Sequence, residues 1–256
     1  MTSTPAQPRT LDGRRVLVTG GGVGIGLGIV RRFAAAGAQV ALTTHSRPVE
    51  PVLETLAAEG VTAIGARLDA TDSAAVDRVV DDLAGRLGGL DVLVNNAGGL
   101  VQRVPLATMT DEHWDTVWRL NVSSVFYASR AALRHLGEGG RVVNISSLAG
   151  SNGGGNGSGA YATAKAAVDG FTRALAKEVA PRGITVNSIA PGLILDTPFH
   201  AQFTPPEDQQ RTIASIPVGR PGYPDDVAAA AEYLARTDAG FVTGTVLDLN
   251  GGVHVR

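Results

Sequence analysis

The segment TGGGVGIG at residues 19–26 carries the clearest architectural signal in this chain of 256 residues. It follows the apolar run RRVLVT at 14–19 and precedes a helical pattern, with Gly20, Gly24 and Gly26 spaced as GxxxGxG. Glycine allows a tight turn with positive φ and lets a phosphate approach the backbone, and the helix that follows offers unpaired N–H groups. A glycine-rich turn alone is weak evidence, but its place between a strand and a helix predicts a phosphate-binding turn rather than a flexible loop.

Short β-branched runs alternate with alanine-rich helical patterns along the rest of the chain. The predicted strands are 14–19, 38–43, 61–67, 90–95, 141–146, 183–189 and 245–249. Strands this short and apolar are typical of a parallel sheet covered on both faces. The alternation therefore predicts an α/β fold, a single-domain, Rossmann-type doubly wound parallel sheet of about seven strands with helices on both faces.

The composition excludes several kinds of site. There is no cysteine, which excludes a disulfide scaffold, a thiolate zinc site, an iron–sulfur cluster and a cysteine nucleophile. The formal net charge of −2 gives no general attraction to nucleic acid or to anionic membranes. The first ten residues lack the apolar core of a signal peptide, and no run of about 18 apolar residues exists, so we expect a cytoplasmic protein.

Small or polar residues follow six of the predicted strands. They are Thr19-Gly20, Thr44, Asp69, Asn95-Asn96, Ser146-Ser147 and Asn187-Ser188. In a doubly wound sheet, ligands bind outside the carboxyl ends of the strands. The sequence therefore predicts a ligand cleft at that edge of the sheet.

If the phosphate-binding turn holds a nicotinamide dinucleotide, the residues after the second predicted strand indicate whether NADP(H) or NAD(H) is bound. Thr44 is followed by His45, Ser46 and Arg47, without the acidic residue that would bind a ribose diol and repel a 2′-phosphate. Ser46 and Arg47 can donate hydrogen bonds to a phosphate, and Arg47 also supplies charge. This pattern favours NADP(H), with NAD(H) as the alternative.

The histidines at 113, 135, 200 and 254 lack metal-ligand spacing and are interpreted as surface or packing residues.

The motif YATAK at 161–165 opens a helix directly after the glycine-rich stretch 147–159. Tyr161 and Lys165 are four residues apart, so they share one face of the helix. A nearby ammonium stabilises a phenolate and lowers its pKa, which makes a tyrosine usable for proton transfer. Ser147 lies upstream at a strand end, where its hydroxyl can polarise a carbonyl beside Tyr161. Lys165 is one of only two lysines in the chain.

From about residue 11 to 252 the chain resembles the classical short-chain dehydrogenase/reductase family, and its pattern is closest to members similar to 3-oxoacyl-carrier-protein reductases. The motifs that carry the resemblance are TGGGVGIG at 19–26, LDATD at 68–72, NNAG at 95–98, Asn121 in WRLNVSS, NISS at 144–147, YATAK at 161–165, PG at 191–192, IPVGRPGYPDDVA at 216–228 and FVTGTVLDLNGG at 241–252. The resemblance implies hydride transfer between a nicotinamide dinucleotide and a carbonyl/alcohol pair, with no metal.

The resemblance also implies residue roles. Tyr161 would be the general acid or base, and Lys165 would lower its pKa and bind the nicotinamide ribose. Ser147 would orient the substrate oxygen, and Asn121 would hold a water in a proton relay through a distorted helix. The cofactor would be held by Gly20, Gly22, Val23, Gly24, Ile25, Gly26, Thr44, His45, Ser46, Arg47, Leu68, Asp69, Asn96, Ala97, Gly98, Tyr161, Lys165, Pro191, Gly192, Ile194 and Thr197.

Three positions depart from the family pattern. Val23 stands where NADP-binding members often carry a basic residue, which leaves Arg47 to support the NADP prediction. The interval from Ser147 to Tyr161 is 14 residues, slightly longer than usual, and its surplus falls in the glycine-rich stretch. Thr197 lies one place later after Pro191-Gly192 than usual, behind Leu195-Asp196.

Residues 1–10 are expected to form a flexible tail, and 11–256 a single dinucleotide-binding and catalytic domain with a substrate lid at about 193–216. Apolar lid residues are Leu193, Leu195, Phe199, Phe203 and Ile213, and Arg103 and Arg134 are candidates for a basic surface that a carrier-protein substrate would favour. A homotetramer is implied, with Ala128, Ala131, Ala132, Ala166 and Ala167 on the outer faces of interface helices.

Two alternatives stay open. The first is an NAD-dependent secondary alcohol or polyol dehydrogenase. The second is a non-catalytic dinucleotide-sensing protein, which need not retain Ser147, Tyr161, Lys165 and Asn121 together. The favoured prediction is an NADP(H)-dependent ketone or 3-oxoacyl reductase that acts on a small-molecule substrate.

Overall fold

A computed structural model describes residues 9–255, and the expected tail lies largely outside this range, at 1–8. The strands are β1 (Arg15–Val18), β2 (Gln39–Thr44), β3 (Ala63–Arg67), β4 (Leu90–Asn95), β5 (Leu136–Ile145), β6 (Thr185–Pro191) and β7 (Val246–Leu249). They form one sheet in the order β3-β2-β1-β4-β5-β6-β7, and every pairing is parallel. The doubly wound prediction is confirmed, because the strand order reverses direction beside β1.

Ten α-helices connect or flank these strands within the described range. They are α1 (Gly24–Ala35), α2 (Glu50–Ala58), α3 (Ser73–Leu87), α4 (Asp111–Trp118), α5 (Ser124–Ala132), α6 (Ala149–Asn152), α7 (Gly159–Val179), α8 (Pro198–Phe203), α9 (Pro206–Ser215) and α10 (Pro224–Ala235). A π-helical segment, Arg119–Ser123, joins α4 to α5. No helix among residues 9–255 has the length and apolar character needed to cross a bilayer.

The predicted strands match the observed ones within about two residues, except at the start of β5. The sequence predicts that strand over 141–146, but β5 already begins at Leu136, which pairs with Leu90. The register shifts between Leu90 and Val92, so the polar, glycine-rich residues 137–140 enter the strand as an irregularity. Such a start has no alternation of apolar residues, which is why the sequence pattern misses it.

The helix ends follow local chemistry. Asp72 caps α3, and its carboxylate accepts a hydrogen bond from the Ala75 N–H at 3.0 Å. Gly37 follows α1 with φ of +94°, a left-handed conformation that suits glycine at a helix end. Pro181 follows the last residue of α7 by two positions and cannot donate a backbone hydrogen bond to continue the helix.

Two apolar layers enclose the sheet. On one face α1 and α10 bury residues such as Phe33 and Leu234, and on the other face α3, α5 and α7 bury residues such as Leu83 and Leu175. Burying each such side chain contributes about 1.5–3 kcal/mol before conformational entropy is counted. Because both faces are covered, ligands have access to the sheet at the carboxyl ends of its strands.

The prediction that alanines of α5 form an outer face is wrong. Ala128, Ala131 and Ala132 are at most 2% exposed and belong to the core beneath the sheet. The exposed side of α5 instead carries Phe126, whose ring lies 5.3 Å from the Arg130 guanidinium carbon. On α7, Ala166 is exposed as expected.

Candidate active site

A cleft of about 750 Å³ opens at the carboxyl ends of the strands. It is lined by nearly all of the residues that the sequence predicts, namely Gly20, Gly22, Val23, Gly24, Ile25, Thr44, His45, Ser46, Arg47, Leu68, Asp69, Asn96, Ala97, Gly98, Ser147, Tyr161, Lys165, Pro191, Gly192, Ile194 and Thr197. Gly26 and Asn121 do not line it; Gly26 lies against Gly20 and Asn96, and Asn121 hydrogen-bonds to Gly99. Thr116 and Leu120, which sequence reasoning missed, also line it.

The glycine turn between β1 and α1 forms one wall. Gly20 and Gly24 have φ of +64° and +52°, which side chains rarely tolerate. A Cβ on Gly22 would lie 2.7 Å from Thr44 Cγ2, and a Cβ on Gly26 would lie 2.5 Å from Asn96 Nδ2. Helix α1 begins at Gly24 with no acidic residue in its first turn, so its N–H groups and dipole remain available to a phosphate. The turn therefore fits the pyrophosphate of a dinucleotide.

The turn is tied to the end of β4. Thr19 Oγ1 accepts hydrogen bonds from the N–H groups of Asn96 at 3.0 Å and Ala97 at 3.1 Å. The Asn96 side chain donates in return to the carbonyl of Gly20 at 3.0 Å. These contacts fix the glycine turn and the NNAG segment at 95–98 relative to each other on one wall of the cleft. Polar residues at adjacent strand ends are the sequence signal for this arrangement.

The loop after β2 lies at the opposite end of the cleft. Thr44 Oγ1 donates to the carbonyl of Arg47 at 2.8 Å, which folds the loop back and leaves Ser46 and Arg47 exposed. Arg67, which sequence reasoning missed, donates from Nε to the carbonyl of His45 at 2.8 Å. The strand register places Arg67 opposite Thr44, and only the sheet brings it to this loop.

Asp69 is held by Thr71, which donates to its Oδ1 from the backbone N–H at 2.8 Å and from the hydroxyl at 2.7 Å. These two hydrogen bonds lower the pKa of Asp69, so the carboxylate is ionised at neutral pH. An ionised carboxylate at this position can accept a hydrogen bond from an amino group.

The structure brings Ser147, Tyr161 and Lys165 together at the inner end of the cleft. Tyr161 and Lys165 lie on α7 and are 8% and 4% exposed. Lys165 Nζ donates to the carbonyl of Ile145 at 2.8 Å and lies 5.6 Å from the Tyr161 ring centroid. Ser147 hydrogen-bonds to Tyr161, and its Oγ accepts from the Ala149 N–H at 3.1 Å. The longer loop before Tyr161 leaves this cluster intact.

The pKa of Tyr161 departs from the sequence expectation. Burial raises it to about 12, and the hydrogen bond from Ser147 offsets only part of that effect. Burial also lowers the pKa of Lys165 to about 8, against the attraction of Asp169. This arrangement does not show the expected lowering of the Tyr161 pKa by Lys165, because desolvation of the phenolate dominates and the ammonium hydrogen-bonds to the Ile145 carbonyl.

Asn121 lies in the π-helical segment Arg119–Ser123, so the helix distortion that the resemblance implied is present. Its side chain donates to the carbonyls of Gly99 at 2.8 Å and Val117 at 2.9 Å and accepts from the Gly99 N–H at 3.0 Å. A Cβ on Gly98 would lie 2.8 Å from Asn121 Oδ1 and 3.2 Å from Lys165 Nζ. Gly98 therefore lets the amide and the ammonium approach each other.

The segment after β6 covers the cleft. Thr197 caps α8 by accepting from the His200 N–H at 3.4 Å, and its hydroxyl donates to the carbonyl of Ile194 at 2.9 Å, despite its displaced position in the sequence. The Phe199 ring lies 5.7 Å from the Tyr161 ring. His200, interpreted above as a surface or packing residue, lines the cleft, and burial lowers its pKa to about 4.

The two candidate arginines for carrier recognition differ in their surroundings. Arg134 forms ion pairs with Asp77 at 3.1 Å and Asp81 at 2.9 Å on the outer side of α3. Arg103 hydrogen-bonds to the carbonyl of Phe203 at the cover of the cleft.

Across residues 9–255, no group of three His, Asp or Glu side chains is placed to hold a metal ion.

Comparison with known proteins agrees with this geometry. A family model described as enoyl-(acyl carrier protein) reductase matches residues 21–254. The 3-oxoacyl-[acyl-carrier-protein] reductase FabG of Haemophilus influenzae is 38% identical over 248 residues, which cover 96% of this chain and 100% of that relative. The L-2,3-butanediol dehydrogenase of Corynebacterium glutamicum is 39% identical over 252 residues, which cover 93% of this chain and 97% of that relative.

A solved structure is similar as well. The short-chain dehydrogenase from Burkholderia cenocepacia J2315, crystallised in complex with NADP, is 38% identical with a TM-score of 0.88, and the match covers 96% of this chain and 100% of that one. Sequence and fold thus agree over nearly the full length. The chain belongs to the classical short-chain dehydrogenase/reductase family and is an NAD(P)-dependent oxidoreductase that acts on CH–OH and carbonyl groups.

Proposed function

We propose that this enzyme transfers hydride between NADP(H) and a carbonyl/secondary alcohol pair and works chiefly as a ketone or 3-oxoacyl reductase. The observation that carries the proposal is the cluster of half-buried Ser147 with buried Tyr161 and Lys165, which faces the cleft beside Gly192 and Ile194. A proton donor, a hydroxyl for a developing oxyanion and a nearby cation are the groups that carbonyl reduction requires.

Each residue has a separate task in this proposal. Tyr161 is protonated at neutral pH, since burial raises its pKa to about 12, and it donates this proton when negative charge on the substrate oxygen makes that oxygen the stronger base. Ser147 donates a hydrogen bond to the same oxygen and stabilises that charge. Lys165 supplies positive charge near Tyr161 and hydrogen bonds to a ribose, and Asn121 keeps the floor of the cleft in register. The dinucleotide supplies the hydride when it is bound.

The loop after β2 supports NADP(H) over NAD(H). Ser46 and Arg47 are exposed at the end of the cleft, and Arg67 lies beside them through its contact with the His45 carbonyl. Three donors, two of them cationic, suit a 2′-phosphate better than a ribose diol, which an acidic residue would bind. Gly20, Gly24 and α1 would hold the pyrophosphate.

Two observations bear on the substrate. The 3-oxoacyl-[acyl-carrier-protein] reductase of Haemophilus influenzae matches 96% of this chain, which supports a 3-oxoacyl substrate. The butanediol dehydrogenase of Corynebacterium glutamicum is 39% identical, which supports the second candidate, an NAD-dependent secondary alcohol or polyol dehydrogenase. The segment at about 193–216 would act as the substrate lid in either case.

The test is turnover of a panel of ketones, 3-oxoacyl thioesters, secondary alcohols and diols with NADPH, NADH and the oxidised cofactors. Reduction of ketones or thioesters with a preference for NADPH is the expected result. Oxidation of diols with NAD⁺ and weak ketone reduction would instead establish the second candidate. We further propose a homotetramer, which light scattering on the purified enzyme checks directly.

A further inference from the structure

Arg103 is exposed and lies between two segments that are far apart in sequence, α8 and the glycine-rich stretch before Tyr161. Its Nε donates to the carbonyl of Phe203 at 3.3 Å, at the end of α8. Its Nη1 donates to the carbonyl of Asn156 at 3.2 Å, in the glycine-rich stretch before Tyr161. One guanidinium thus joins the cover of the cleft to the loop on the opposite side, and its planar, forked donors suit two acceptors at once.

The glycine-rich stretch is shaped to receive this side chain. A Cβ on Gly155 would lie 3.1 Å from Arg103 Nη1, and a Cβ on Gly157 would lie 3.2 Å from Arg103 Cβ. Gly157 also has φ of +72°, and its carbonyl accepts from the Val104 N–H at 2.9 Å. The stretch that makes the Ser147 to Tyr161 interval longer than usual is therefore the one that packs against Arg103.

The backbone before Arg103 is bent to place it there. Val101 has φ of +68°, and the Gln102 N–H donates to the carbonyl of Leu100 at 2.9 Å, which is the geometry of a tight γ-turn. A β-branched residue is strained at such a φ, so the surrounding contacts must maintain the turn. The buried Leu100 on one side and the Val104 hydrogen bond on the other supply those contacts.

Arg103 and its two backbone acceptors, the carbonyls of Phe203 and Asn156, are called the clamp below. From Phe203, a chain of aromatic ring contacts leads to Tyr161. Phe203 lies 5.4 Å from Phe199 between ring centroids, and Phe199 lies 5.7 Å from Tyr161. Both phenylalanines pack with Met109 and Val122 against the apolar cluster around Tyr161. On the other side of α8, His200 hydrogen-bonds to Thr204 at 2.9 Å and to the backbone of Gly192. The segment is thus fastened on both sides, with Phe199 held over the catalytic tyrosine.

We infer that Arg103 is a specificity-determining residue, which fastens α8 to the glycine-rich stretch, keeps Phe199 and Phe203 over Tyr161, and so restricts the enzyme to carbonyl substrates with short chains. This inference rests on the proposed function and adds the substrate class to it. In this inference a long acyl chain at Tyr161 displaces the Phe199 ring, which lies 5.7 Å from the Tyr161 ring, and breaks the contact of Arg103 with α8, whereas a short chain requires neither change.

The experiment compares kcat/KM for 3-oxobutanoyl and 3-oxooctanoyl N-acetylcysteamine thioesters, with NADPH, in the wild type, R103A and R103K. The wild type is expected to prefer the 3-oxobutanoyl thioester. R103A should reduce that preference about tenfold, mainly through a lower KM for the longer thioester, since a misfit of a few methylene groups is worth at least that factor. R103K should lie between the two, because an ammonium cannot donate in a fork. Arg86→Ala, on the exposed end of α3, is the matched control.

A second readout does not require turnover. Arg211 is exposed on α9, beyond the clamp, and offers trypsin a cleavage point. R103A should be cut there faster than the wild type and Arg86→Ala, as measured by mass spectrometry of the fragment that ends at Arg211. An unchanged chain-length preference in R103A, an unchanged rate of cleavage at Arg211, or a wild-type preference for the longer thioester would each overturn the inference.

Failure of the proposed function gives a different result. If the wild type reduces neither thioester with either cofactor, 3-oxoacyl reduction is excluded, and butan-2-one and octan-2-one carry the same chain-length comparison. The role of Arg103 is then tested by the ratio of kcat/KM for butan-2-one to that for octan-2-one in the wild type and R103A, and by the rate of cleavage at Arg211.

Discussion

The Nζ atom of Lys165 lies 5.6 Å from the centroid of the Tyr161 ring, one turn away on α7. Both side chains are buried, and burial acts on them in opposite directions. It raises the pKa of Tyr161 to about 12 and lowers that of Lys165 to about 8, because it disfavours the charged form of each. At neutral pH the pair is therefore a neutral phenol beside an ammonium, which is the state that carbonyl reduction needs.

Tyr161→Phe should lower kcat for carbonyl reduction about 100-fold or more, because it removes the proton donor and leaves the ring packing with Phe199 intact. The dissociation constant of NADPH, measured by fluorescence titration, should change little. Near-normal turnover by the folded variant would contradict the assigned role.

Lys165 makes stability depend on pH. Its pKa in the folded protein is about 8, below the ordinary value of 10.5, so between these values the unfolded chain binds more protons than the folded one. The free energy of unfolding should therefore gain, from this group, up to about 1.4 kcal/mol per pH unit as pH rises from 8 toward 10. Lys165→Met should lack this gain, as measured by urea unfolding at several pH values. Parallel pH profiles for the two proteins would show that Lys165 is not desolvated.

Arg47→Ala should raise KM for NADPH about tenfold and leave KM for NADH nearly unchanged, because only the 2′-phosphate uses its charge. Arg67→Ala should weaken NADPH binding less, since its Nε is engaged with the His45 carbonyl. An equal effect of Arg47→Ala on both cofactors would contradict the assignment of the 2′-phosphate to this loop.

Gly98→Ala should lower kcat at least about tenfold, because its Cβ would meet Asn121 Oδ1 and Lys165 Nζ and must displace one of these buried groups. Gly99→Ala is the matched neighbour, since its Cβ would meet nothing closer than Leu120 at 3.8 Å. Circular dichroism and turnover of the two variants make the comparison. Equal turnover in both variants would show that Asn121 and Lys165 can move away from a Cβ at position 98 without loss of activity.

Much of the fold follows from local patterns. Strand positions depend on residues close in sequence, and the structure agrees with them within about two residues except at the start of β5. The start of β5 was missed because residues 137–140 show no alternation of apolar residues, and only the pairing of Leu136 with Leu90 includes them in the strand. The alanines of α5 were placed on the wrong side because small residues give no strong preference for one face of a helix.

The site divides in the same way. Spacing alone placed Tyr161 and Lys165 on one helix face and the polar strand ends at one edge of the sheet. Arg67 could not be found, since only the register of β2 and β3 brings it to the loop at Ser46. His200 packs against Phe199, in agreement with its interpretation as a surface or packing residue, but nothing in its neighbours along the chain indicates that it also lines the cleft.

The sequence by itself determined the chemistry and the topology of this protein, because periodicity, glycine spacing and the Tyr161–Lys165 interval act over a few residues. Only the tertiary structure decided the protonation states of the residues that carry out this chemistry. Desolvation, which depends on every element packed around α7, sets the protonation of Tyr161 and Lys165. The closure of the substrate end depends on Arg103 meeting two carbonyls that lie 53 and 100 residues away in the chain.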